Sequence, residues 1–111
     1  MFLMHVSAVA ADKIFHALAD PSRRAIFESL SLGEAAVNDI TARLPISQPA
    51  VSQHLLTLKN AGLVNGRREG RRVYYRVEPN GMKPLMDWIA HYRAFWTERV
   101  AHLERLLEKM Q

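Results

Sequence analysis

Cysteine is absent from the 111 residues, which removes disulfides, thiolate metal sites, thiol redox switches and cysteine nucleophiles. No apolar run approaches the roughly 20 residues of a membrane-spanning helix. The first residues, MFLMHVSAVAA, are mildly apolar, but no basic region precedes them and Asp12 and Lys13 follow at once. They do not read as a secretory signal, and the expected location is the cytoplasm. Glycine-rich phosphate loops, zinc-protease motifs and nucleophile elbows are also missing, so no catalytic residue is assigned and the chain is not read as an enzyme. Ser52 and His54 lie at i and i+2 of one expected helix, face different directions and form no dyad. Negative charge is scarce in one stretch: residues 47–77 hold Lys59, Arg67, Arg68, Arg71, Arg72 and Arg76 against Glu69 alone, a local charge of +5, while the remainder carries −1. A polyanion-binding face confined to one segment accounts for that asymmetry better than general solubility does.

The length is that of one domain with a modest core, small enough that burial against another copy would stabilise it. Residues 1–7 read as a tail and 8–111 as a single domain. Helices are expected at 8–19, with Ile14, Phe15 and Leu18 on one face, and at about 21–31, where Asp20 caps and Pro21 occupies the first helical position without leaving an amide unpaired. A short helix follows from an Asn38 cap to Leu44, stopped by Pro45. The next helix, about 48–61, starts from a Ser47 cap with Pro49 in its first turn. Val51, Leu55 and Leu58 give it one buried stripe, and Gly62 ends it. The turn between these two helices has helix-turn-helix length. Leu63-Val64 and the alternating Val73, Tyr75 and Val77 then read as two short strands joined by a basic tip at 67–72. From about Gly81 a helix of some 29 residues carries Leu85, Ile89, Tyr92, Trp96, Val100, Leu103, Leu107 and Met110 at steps of three and four. Such a helix is about 43 Å long and exceeds what so small a domain can cover.

This order describes a mainly α fold with a small β-hairpin, a winged helix-turn-helix of about five helices. In that arrangement the second helix of the motif enters the DNA major groove by its N-terminal residues, and the hairpin reaches flanking backbone or minor groove. The polar crowd at the start of helix 48–61 acquires a reason. Ser47, Gln48, Pro49, Ser52, Gln53, His54, Thr57 and Lys59 are the candidate reading face, and Arg67, Arg68, Arg71 and Arg72 the candidate wing contacts. Glutamine pairs with adenine N6 and N7, serine bonds several bases or a phosphate, and proline offers an apolar surface to a thymine methyl. Polar helix faces and charged hairpin tips also occur on proteins that never meet DNA, but the combination of capped helix, leucine stripe, glycine stop and basic hairpin favours double-stranded DNA as partner. A winged-helix protein-interaction module is the alternative, and four arginines within 67–72 argue against it.

SQPAVSQHLLTLKNAGLVNGRREGRRVYYRV, with LADPSRRAIFESL upstream, resembles the core of the ArsR/SmtB family of bacterial winged-helix repressors over roughly residues 12–108. The resemblance implies a homodimer paired through its first and last helices, binding an inverted-repeat operator. The interface residues so expected are Phe15, Trp88, Ile89, Tyr92, Phe95, Trp96, Arg99, Leu103 and Leu107. Metal-sensing members often carry paired cysteines where this chain has Ala36 and Asn38. A second family site uses Asp and His, then His and Glu, on the last helix. His91 and His102 keep that spacing, but Ile89 and Arg105 stand where the carboxylates would be, and two ligands of four make a poor zinc site. Asp87 and Glu104 leave a distorted His91/His102 metal-responsive site as an alternative. The segment WxxxYRxFWxxR, here Trp88, Tyr92, Arg93, Phe95, Trp96 and Arg99, is similar to a metal-independent branch. No metal, cofactor or small-molecule inducer is assigned.

Overall fold

Proline sets the first boundary of the chain. Residues 2–19 contain neither proline nor glycine and several alanines, so nothing breaks a helix before Asp20-Pro21. The computed structural model describes residues 2–110, with side chains from Val9 onward. Its elements are α1 (Phe2–Ala19), α2 (Pro21–Ser31), β1 (Ala35–Ala36), α3 (Val37–Arg43), α4 (Gln48–Asn60), β2 (Val64–Glu69), β3 (Arg72–Val77) and α5 (Lys83–Lys109). Residues 2–7, expected as a tail, are thus part of α1.

Asp20 caps α2 as expected, its carboxylate accepting the Arg23 backbone N–H at 3.0 Å. That bond holds the Asp20 carboxyl below its ordinary value, against some desolvation, and the Arg23 and His54 charges add to it. Arg23 and Arg24 turn back on α1: Arg23 donates to the Ala17 and His16 carbonyls and Arg24 to those of Leu18 and Ala19. These four oxygens are the ones a helix C-terminus leaves without partners.

The expected Asn38 cap of α3 is not used. Ala36 is the N-cap, and its N–H donates to the Asp39 carboxylate at 3.2 Å. The cause is β1, which the sequence does not announce because it is two alanines long. Ala35 and Ala36 pair with Tyr75 and Tyr74, and this fixes the chain entering α3 two residues early. Strand order is β1-β3-β2, all antiparallel. The hairpin is also more regular than its charge suggests. Arg67, Arg68 and Glu69 are strand residues in register with Tyr74, Val73 and Arg72, and the turn shrinks to Gly70-Arg71. Gly70 has φ 63° at the first central position, the arrangement of a type II′ turn.

The core gathers Ile14 and Ala17 of α1, Ile26 and Leu30 of α2, Ile40 of α3, the Val51, Leu55 and Leu58 stripe of α4, and Leu63 and Val64. It lies under the helix-turn-helix, so α4 is held by its apolar side and presents the other. The end of α4 is fixed equally well: Gly62 (φ 78°) donates to the Lys59 carbonyl and Leu63 to that of Leu58, the two bonds of a Schellman stop. Only Met82 and Leu85 at the start of α5 pack on this core, and no residue of α5 is buried. The chain is therefore long, 62 × 40 × 20 Å, with a radius of gyration of 18.3 Å. A compact chain of this length has about 13 Å.

Candidate nucleic-acid interface

The N-terminus of α4 is built from three residues with separate tasks. Ser47 leaves the helical conformation, and its hydroxyl accepts the Ala50 N–H at 3.3 Å. Gln48 and Pro49 fill the first two helical positions, where a missing amide costs nothing. With Val51, Leu55 and Leu58 fully buried, the helical period turns Gln48, Pro49, Ser52, Gln53 and Lys59 to solvent, and all of them are exposed. Two expected readers lie off this face. His54 is half-buried, with Nε2 3.9 Å from the Asp20 carboxylate, so it faces the start of α2. Thr57 donates to the Gln53 carbonyl and lines a groove between α1 and α4 with Asp12, Lys13, His16 and Asn60.

Sequence reading missed one residue of the exposed face. Leu56 is 52% exposed and lies one turn beyond Ser52. A helical projection finds it, because it falls off the stripe of Leu55 while belonging to the same apolar run. Pro49 and Leu56, two turns apart, give the face two apolar points with Ser52 and Gln53 between them.

The wing sorts its arginines into two kinds. Arg67, which sits opposite Tyr74, donates to Glu34 at 2.5 Å and to Glu69 at 2.7 Å, and its guanidinium lies 5.2 Å from the centre of the Tyr74 ring. The two carboxylates raise its already high pKa further. Arg72 approaches the same ring at 5.6 Å and lies 3.7 Å from Asp39. Arg76, on the same face of the hairpin, is held by Asn65 at 3.0 Å. Among the described residues, Arg68 and Arg71 make no ion pair. Neither Glu34 nor Asp39 could be connected to the wing from local sequence, since 33 positions separate each from its arginine.

On the last helix, Phe15 of α1 packs edge-on against Trp88 at 5.3 Å, and Trp88 continues to Tyr92 at 5.0 Å. Arg99 stacks over Phe95 at 4.2 Å. Ile89, Trp96, Leu103 and Leu107 stay exposed along the helix. His91 and His102 are both exposed, and the His91 ring meets Tyr92 edge-on at 4.8 Å.

A helix-turn-helix with a polar second helix beside a three-stranded basic wing is the architecture of a DNA-binding regulator. A family described as bacterial regulatory protein, arsR family, matches residues 20–66. The HTH-type transcriptional regulator Rv2034 of Mycobacterium tuberculosis is 41% identical over 97 residues, covering 87% of this chain and 88% of that protein. The transcriptional repressor SdpR of Bacillus subtilis is 31% identical over 81 residues, covering 73% of this chain and 90% of the repressor. Among solved structures, the homodimeric winged helix-turn-helix DNA-binding domain of Mb0332 from Mycobacterium bovis superposes with a TM-score of 0.63 at 30% identity, covering 86% of this chain and 85% of that one. The chain belongs to the arsR family of bacterial regulatory proteins and is a DNA-binding transcriptional regulator, not an enzyme.

Proposed function

We propose that the protein is a cytoplasmic homodimeric repressor that binds an inverted-repeat operator and needs no metal to do so. The observation that carries this reading is the pairing of an exposed Gln48, Ser52 and Gln53 face on a rigidly held α4 with unpaired Arg68 and Arg71 at the wing tip. Gln53 and Gln48 supply bidentate hydrogen bonding to adenine, Pro49 and Leu56 supply apolar contact to thymine methyls, and Lys59 and the wing supply phosphate contacts. Ser47 and the α4 N-terminus favour a phosphate beside them. His54 and Thr57 lie at the edge of this surface, and Arg67 and Arg72, held by carboxylates, stand outside it.

Dimerisation is supported by α5. Its exposed Trp88, Tyr92, Phe95, Trp96, Leu103 and Leu107, continued by Phe15, form an apolar stripe of a kind that monomeric soluble proteins rarely leave open. A two-fold pair buries it against itself and brings two α4 helices to one face of the duplex. Metal independence is supported by Ala36 and Asn38 at the positions where sensing relatives have cysteines, and by Ile89 and Arg105 where a second site needs carboxylates.

Electrophoretic mobility with the DNA upstream of the protein's own gene, in excess unrelated duplex and with chelator present, tests the reading. A shifted band that survives both is expected. A shift that unrelated DNA abolishes, or that returns only with added zinc, contradicts it. Gln53→Ala should relax base preference, costing about 1–3 kcal/mol of discrimination at the position it reads.

A further inference from the structure

Residues 67–72 of the wing carry four arginines, yet two of them are already occupied by carboxylates from outside the hairpin. Glu34 belongs to the turn between α2 and β1, and Asp39 to the first turn of α3. Neither lies on the hairpin: Glu34 leads directly into β1, and the Asp39 carboxylate, in α3, is fixed by the Ala36 N–H at 3.2 Å. Arg67 bridges Glu34 and Glu69, Arg72 leans toward Asp39, and Tyr74 lies against both guanidinium groups. Around Tyr74, Arg67 and Arg72 thus meet three carboxylates, a local charge of −1, with Arg76 further along the same face and, among the described residues, Arg68 and Arg71 without an ion pair beside it.

A phosphate approaching that face meets carboxylates placed where its own oxygens would go. To claim Arg67 it must displace two ion pairs and a stacked ring, whereas Arg68 and Arg71 require nothing to be broken. We propose that Glu34 and Asp39 withhold Arg67 and Arg72 from the DNA backbone, so that the wing grips the duplex through Arg68 and Arg71 alone. The pair acts as a brake on sequence-independent binding, because attraction to any duplex grows with the number of phosphates neutralised. The inference rests on the reading that the wing tip lies on DNA.

The test is fluorescence anisotropy of the whole protein on a short duplex of arbitrary sequence across a range of potassium chloride. Glu34→Gln keeps the side-chain shape and removes the charge. It should tighten binding to this duplex and steepen the slope of log K against log salt by up to about 0.9, the contribution of one phosphate contact. Asp39→Asn should do the same to a smaller extent, as Arg72 is less closely held. Arg67→Ala in the wild-type background should leave the slope unchanged, and Arg67→Ala added to Glu34→Gln should restore the wild-type slope. Flattening by Arg67→Ala alone overturns the proposal without recourse to the acidic variants, and so does an unchanged slope in a folded Glu34→Gln protein. Arg68→Ala and Arg71→Ala separate the two levels. If they flatten the slope while Glu34→Gln does not steepen it, the brake fails and the wing reading stands. If they leave the slope unchanged, both fail together.

Discussion

The helix-turn-helix body and α5 treat their apolar residues in opposite ways. In the body, Val51, Leu55 and Leu58 reach zero exposure within a single helix of 13 residues, and every element from α2 to β3 has a partner inside the chain. In α5, 27 residues carry a stripe at the same helical spacing, yet Trp96 remains 59% exposed and Leu103 55% exposed. Hydrophobic spacing alone does not say where burial will occur. The body's stripe is short and faces other elements of the same chain. The α5 stripe extends about 40 Å, and among the described side chains Phe15 of α1 meets it at Trp88, near its start. The difference teaches that the body is a finished fold, whereas the α5 stripe is left open, as the proposed pairing with a second copy requires.

This contrast can be broken most directly from the body's side. Leu55→Ala leaves a cavity in the one place where packing is complete, and should cost about 2–5 kcal/mol of stability. Chemical denaturation checks it, and a loss below 1 kcal/mol would mean that the α4 stripe is not the centre of the core. A smaller effect, of a different kind, is expected on α5. Trp96→Glu appears twice in a two-fold dimer and should weaken pairing by on the order of 3 kcal/mol, more than a hundredfold in the dissociation constant, with the far-ultraviolet spectrum of the body retained. Sedimentation at micromolar concentration reads the outcome, and an undiminished dimer would remove Trp96 from the interface. The smallest effect concerns the Asp20 cap. Its folded carboxyl titrates below its unfolded value of 3.8, so the stability it contributes is complete above about pH 4 and is lost as pH falls through the lower, folded value. Asp20→Ala should lower the melting temperature by roughly a few degrees at pH 7, and the gap between variant and wild type should close in strong acid. An equal gap at pH 7 and pH 2 would assign the effect to something other than the charge.

Much of the body was legible because its signals are local. Asp20-Pro21, the Ser47 cap with Pro49, and Gly62 each mark a boundary through the backbone conformation or hydrogen bond that the residue itself supplies, and all lie where expected. β1 was not legible: two alanines have no period, and they become a strand only because Tyr74 and Tyr75 arrive beside them. The same pairing moved the start of α3 from Asn38 to Ala36. At the interface, the exposed glutamines and serine followed from the leucine stripe opposite them, whereas His54 turned toward Asp20 because the cap of α2 happens to lie within reach. The basic wing was visible as composition. Its division into held and unpaired arginines was not, since Glu34 and Asp39 approach it only through the folded chain.

The central claim is that two copies of α4, held apart by paired α5 helices, read DNA together. Repeated selection of bound duplexes from a random-sequence pool, at fixed salt and with chelator present, tests it in one measurement. The account predicts an enriched inverted repeat with half-sites about 10–10.5 base pairs apart, centre to centre, or a multiple of that spacing. Enrichment of a single unrepeated motif, or of no motif at all, would contradict it.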